Sequence, residues 1–73
     1  MVRVRVVARG KLARNSRISR EGVNVSLQDG GRVRDLLQEV GLFDGEVRRV
    51  LVNGRRARLD TSLKRDDVVQ VEG

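Results

Sequence analysis

A chain of 73 residues, 38% apolar, forms one small domain with a stability margin on the order of 4–10 kcal/mol and no room for a deep enclosed pocket. It has neither Cys nor His, which excludes disulfides, thiolate nucleophiles, thiolate or imidazole zinc sites and histidine general bases. The formal charge is +6, and residues 1–37 hold nine bases (Arg3, Arg5, Arg9, Lys11, Arg14, Arg17, Arg20, Arg32, Arg34) against Glu21, Asp29 and Asp35, so the whole excess lies in the first half.

Val2, Val4 and Val6 alternate with Arg3 and Arg5, the period of a strand with one buried and one wet face. From Arg9 to Arg20 neither strand nor helix period holds, and the segment reads as a mobile connection with room for a short helical turn. Alternation returns at Val23, Val25 and Leu27, a second strand ended by the turn residues Gln28 to Gly31. Val33, Leu36, Leu37 and Val40 then fall at i, i+3, i+4 and i+7, one apolar stripe on a helix of about ten residues that Gly41 is placed to stop.

Phe43, the only aromatic residue, stands between Leu42 and Asp44 and is expected in the core. Val47 and Val50 to Val52 predict a third strand. Asn53–Gly54 suits a tight hairpin turn with positive φ at both positions, and Arg55 to Arg58 would return antiparallel. After a charged turn, Lys64 to Asp67, the run Val68 to Val71 predicts a strand inside the sheet. The order is ββαβββ, or ββαββ if the short fourth strand is counted with its turn. One α+β domain spanning 1–73 follows, with a mixed sheet of four to five strands and one helix packed on one face.

Strand, wide loop, strand, helix, VNG hairpin and closing strand is the β-grasp (ubiquitin-like) order. The segments VRVRVVARGKLAR, DGGRVRDLLQEVG, LVNGR and LDTSLKRDDVVQV together resemble the ThiS and MoaD families of sulfur carriers in thiamine and molybdopterin biosynthesis. Each segment also has a plain structural use. Asn53 and Gly54 make a turn, Leu59 and Leu63 plug the base of the sheet, and Asp67 can accept backbone hydrogen bonds, while Asp66 stands where the resembled families often have glycine and can adopt a left-handed turn at some cost.

The resemblance implies that the reactive group is the carboxylate of the terminal Gly73. An E1-like activating enzyme or a cofactor-synthase subunit would act on it, adenylating the carboxylate and converting it to a thiocarboxylate. The chain itself would be no enzyme and would need no cofactor or metal. A freely projecting terminus is expected for that role, whereas only Glu72 and Gly73 follow Val71, a reach of about 7 Å. Glu72 also stands where the families place a penultimate glycine.

Two other readings compete. In the first, a basic β-grasp module uses Arg3, Arg5, Arg9 and Lys11 to contact an acidic protein or, less well for want of stacking aromatics, RNA. In the second, a degenerate carrier serves as an accessory subunit, docking through its sheet, with Val4, Val52 or Val69 contributing if exposed. The carboxylates Asp29, Asp35, Asp44, Asp60, Asp66 and Asp67 are scattered over turns and helix and form no acid and base pair. No apolar run approaches the roughly 20 residues of a membrane span, and the start alternates charge with Val, so a cytoplasmic protein, monomeric alone, is expected.

Overall fold

The computed structural model describes residues 1–12, 18 and 21–73. Its elements are β1 (Val2–Arg9), β2 (Val23–Leu27), α1 (Val33–Glu39), a 3-10 turn (Asp44–Glu46), β3 (Arg49–Val52), β4 (Arg55–Arg56) and β5 (Val68–Glu72). The connection expected from Arg9 to Arg20 lies mostly outside the described residues.

The strands form one mixed sheet in the order β2-β1-β5-β3-β4. β1 is antiparallel to β2 and parallel to β5, and β5 is antiparallel to β3. Alternation sorts the side chains as the period requires. Val4, Val6, Val69 and Val71 are fully buried and meet Val33, Leu36 and Leu37 of α1 in one aliphatic core. Arg3, Arg5, Val7 and Arg9 lie on the opposite, helix-free face. Through their register partners they are joined there by Val68, Gln70, Glu72, Arg49, Leu51 and Arg56. Val4 and Val69 are therefore unavailable for docking, and Val52 is half-buried.

Local chemistry sets the ends of α1. The Asp35 carboxylate accepts the Arg32 N–H at 2.9 Å, and the Val33 and Arg34 N–H groups donate to the carbonyls of Thr61 and Leu59 at 3.0 and 2.9 Å. The first-turn donors are thus met by the loop that follows β4. At the other end Gly41 adopts φ 79°, its N–H donates to the Gln38 carbonyl, and the Leu42 N–H donates to the Leu37 carbonyl at 2.8 Å. This paired-bond stop drops Leu42 into the core, 7% exposed, and throws the next residue outward. The expectation that Phe43 is core therefore fails: it is 74% exposed, because Leu42 occupies the place the stop provides.

β4 is two residues long, not four, because Arg58 and Thr61 close a turn of their own. In it the Thr61 hydroxyl oxygen accepts the Arg58 N–H at 3.0 Å. β1 runs past Val6 to Arg9, since its parallel partner β5 continues to Glu72. Asn53 (φ 52°) and Gly54 (φ 83°) make the expected hairpin turn, and Asp66 takes the left-handed conformation at φ 65°.

Candidate functional site at the terminal glycine

Three segments converge on the last residue. Arg9 at the end of β1 is the register partner of Glu72 at the end of β5, so Gly10 continues beside Gly73. A β-carbon on Gly10 would lie 3.0 Å from the Gly73 carbonyl oxygen. One on Gly73 would lie 2.7 Å from Leu12 Cγ and 3.1 Å from the Glu46 carbonyl oxygen, so its neighbours would have to move. Glycine is thus the residue that fits this seat without displacing Leu12 or lifting the chain end.

Glu72 is tied down as well. Its carbonyl accepts the Arg48 N–H at 2.7 Å, its Oε1 accepts from Gln70 Nε2 at 2.9 Å, and its Oε2 stands 3.7 Å from Arg49 Nη1. That ion pair is half-exposed and long, and it adds little stability. The expected free projection of the terminus is corrected here: Gly73 is half-buried and seated. Parallel pairing with β1 continues to Glu72, and a residue without a side chain can nest against Leu12.

Arginines surround this seat. Arg48, Arg49 and Arg56, with Glu72 and Gly73, line a notch of about 300 Å³. The same three arginines wall a wider groove of about 590 Å³ that also includes Val47, Val50, Ala57, Arg58 and Leu59. The entry into β3 brings Arg48 and Arg49 to the groove, and the hairpin register Leu51↔Arg56 carries Arg56 back toward them.

The structure does not gather the arginines singled out in the sequence into one place. Arg3, Arg5, Arg9 and Lys11 are all exposed, but Arg3 and Arg9 are six strand residues apart, about 20 Å. The Arg5 guanidinium donates to the Glu21 carbonyl and is partly committed to the fold. Arg9 alone of the β1 row is the register partner of Glu72, and Lys11 follows it by two residues. Sequence reasoning missed Arg48, Arg49 and Arg56, because the second half has a balanced charge. The usable signal was their position on either side of the VNG turn, which folds one set onto the other.

Among the described residues no group of three or more carboxylates could hold a metal ion, and no helix is long and apolar enough to cross a membrane. Asp29 and Asp35, with Glu39, line a depression at the other end of β1, and Asp67 is buried at the start of β5.

No family model matches the chain, and no curated protein matches it by sequence. Solved structures do. A putative molybdopterin converting factor, subunit 1, from Pyrococcus furiosus is 29% identical with a TM-score of 0.79, over 99% of this chain and 97% of that one. The fold is the β-grasp of the ThiS/MoaD-like proteins. The small archaeal modifier protein 1 of Haloferax volcanii matches at 20% identity and TM-score 0.77, covering 99% of this chain and 97% of that chain. A structure of SAMP1 from Haloferax volcanii matches at 21% identity and TM-score 0.74, over 94% and 91% of the two chains. These last two likenesses concern the fold alone. At this level the chain is a ubiquitin-like protein of MoaD-like build, and its seated glycine lies where the final strand of that fold ends.

Proposed function

We propose that the chain is a sulfur carrier whose Gly73 carboxylate is activated by an E1-like enzyme for thiamine or molybdopterin-type cofactor biosynthesis, in the cytoplasm. The observation that carries this reading is the near end-to-end likeness to a molybdopterin converting factor subunit at 29% identity. Gly73, directly after the last strand, supplies the unbranched acyl group this reading needs. A carboxylate oxygen of Gly73 would attack the α-phosphorus of ATP and expel pyrophosphate. A hydrosulfide-level sulfur nucleophile would then attack the acyl carbon and displace AMP, leaving the thiocarboxylate. Carrier residues supply only the acyl group and its presentation, and the catalytic groups belong to the partner.

Presentation requires the seat to open. Freeing Glu72 and Gly73 breaks two or three partly solvated hydrogen bonds, a cost of roughly 1–4 kcal/mol. Strand ends fray at costs of this size, and binding to a partner can supply it. The test is intact-mass measurement after incubation with an adenylating enzyme, ATP and a sulfur donor under conditions that load a known carrier. A mass gain equal to exchange of one oxygen for sulfur is expected, and an unchanged mass would discredit the reading.

The tied-down Glu72 favours a second reading, a carrier-like accessory subunit that docks without being charged. It predicts a stable complex with the enzyme and no change in mass.

A further inference from the structure

The arginine-walled groove beside the terminus has no ion-pair partner lining it among the described residues. Its walls are the guanidinium residues Arg48, Arg49, Arg56 and Arg58, all exposed, and among the described residues none of its lining is acidic. Glu72 lines the adjoining notch and is already shared with Arg49 and Gln70, while Glu46 and Asp60, the sequence neighbours of Val47 and Leu59, are exposed and outside the lining. Between the arginines lie the aliphatic residues Val47, Val50, Ala57 and Leu59, buried or half-buried.

From these observations we infer that the groove is a docking site for an acidic, leucine-bearing segment of a protein partner. The charge asks for carboxylates, which arginine binds in planar, paired fashion. Single-stranded nucleic acid would need aromatic faces on which to stack its bases, and none lines the groove. The aliphatic floor favours a peptide whose apolar side chains alternate with its acids. Phe43 is exposed before the turn whose Glu46 carbonyl flanks Gly73, an aromatic residue of the kind that anchors protein interfaces, but it is not part of the groove lining. Because the groove opens onto the seat of Gly73, its occupant would be the enzyme that takes the terminus. That last identification rests on the carrier reading above; the groove's chemical preference does not.

The test titrates the isotopically labelled full chain with three probes followed by amide resonances. They are a short peptide alternating Glu with Leu, polyglutamate of equal charge, and oligouridylate. Saturable shifts in residues 47–50 and 56–59 are expected with the Glu/Leu peptide, at an affinity about tenfold or more above polyglutamate, the contribution of one buried leucine. Equal or tighter binding of polyglutamate or oligouridylate would reduce the site to general cationic attraction and overturn the proposal. Shifts confined to the Arg3 and Arg5 row would overturn it too, as would the same shifts produced by raising the protein's own concentration, which would mean a second copy fills the groove.

The double variant R48E/R56E, on exposed positions, should abolish the shifts, while Arg3→Glu should retain them. If the double variant loses its dispersed spectrum, Arg58→Glu reads the same groove. Peptide binding in a chain that no adenylating enzyme charges would uphold the groove and sink the carrier reading. A charged chain with a silent groove would do the reverse.

Discussion

The Asp67 carboxylate accepts the Lys64 N–H at 2.7 Å and Asn53 Nδ2 at 2.8 Å, while Asn53 Oδ1 accepts the Val68 N–H at 2.9 Å. Two side chains therefore pin the VNG hairpin to the turn that launches β5, in a partly buried setting where unmade bonds are costly. Asp67→Ala should destabilise the protein by about 2 kcal/mol in urea denaturation, since it orphans two donors. A double-mutant cycle with Asn53→Ala should show coupling of at least about 0.5 kcal/mol, and strict additivity would show that the two act separately. Asp67 was legible in the sequence as a backbone acceptor, because a carboxylate at a strand entry has few other uses. Its Asn53 partner was not, since the two are 14 residues apart and meet only through the fold. Gly73 calls for a different expectation. In Gly73→Ala the new β-carbon meets Leu12, and the cheapest relief is for the chain end to lift. Global stability should fall by less than about 1 kcal/mol, while the Glu72 and Gly73 amides exchange markedly faster with solvent. Unchanged exchange there would mean that Leu12 yields instead.

At the level of elements, hydrophobic period placed β1, β2, β3, β5 and the helix within a few residues, because each buries side chains in the same aliphatic core, whereas the exposed β4 was placed by its Asn53–Gly54 turn. Boundaries went astray where tertiary partners decide them. β1 is extended by β5, and β4 is cut short by the turn from Arg58 to Thr61. Phe43 was misplaced by its residue type. Hydrophobicity says inside, but the helix stop at Gly41 gives the inward position to Leu42. The connecting glycines allow a graded test. A β-carbon on Gly41 would find open space, so Gly41→Ala should cost only the left-handed strain, about 1–2 kcal/mol. Gly22 has φ 91° and a β-carbon there would lie 2.7 Å from the Val6 carbonyl oxygen, so Gly22→Ala should lower the melting temperature distinctly further. Equal melting temperatures would show that the backbone around Gly22 can shift to make room.

Across the whole molecule, charge and core are arranged by different rules. Counting along the chain put the cationic excess in the first half, yet the densest arginine surface comes from the electrically balanced second half, folded by a two-residue turn. Composition cannot show that. The core, by contrast, was legible because burial follows alternation. β5, the last strand of the chain, enters between the first strand, β1, and β3, with Val69 opposite both Val6 and Val52. The sheet cannot close until this pairing of maximal sequence separation forms, so folding should be slow for the chain's size. Val69 is completely buried, and Val69→Ala should cost about 2–3 kcal/mol, a large share of the margin of so short a chain. That corresponds to a fall of roughly 10–20 °C in melting temperature, read by circular dichroism. Removing Glu72 and Gly73, which lie on the body and outside the aliphatic core, should shift the same transition by less, since the two or three hydrogen bonds lost are partly solvated. The opposite ranking would make the terminus a structural strut, and a strut could not be lifted into a partner's active site at the cost the carrier reading allows.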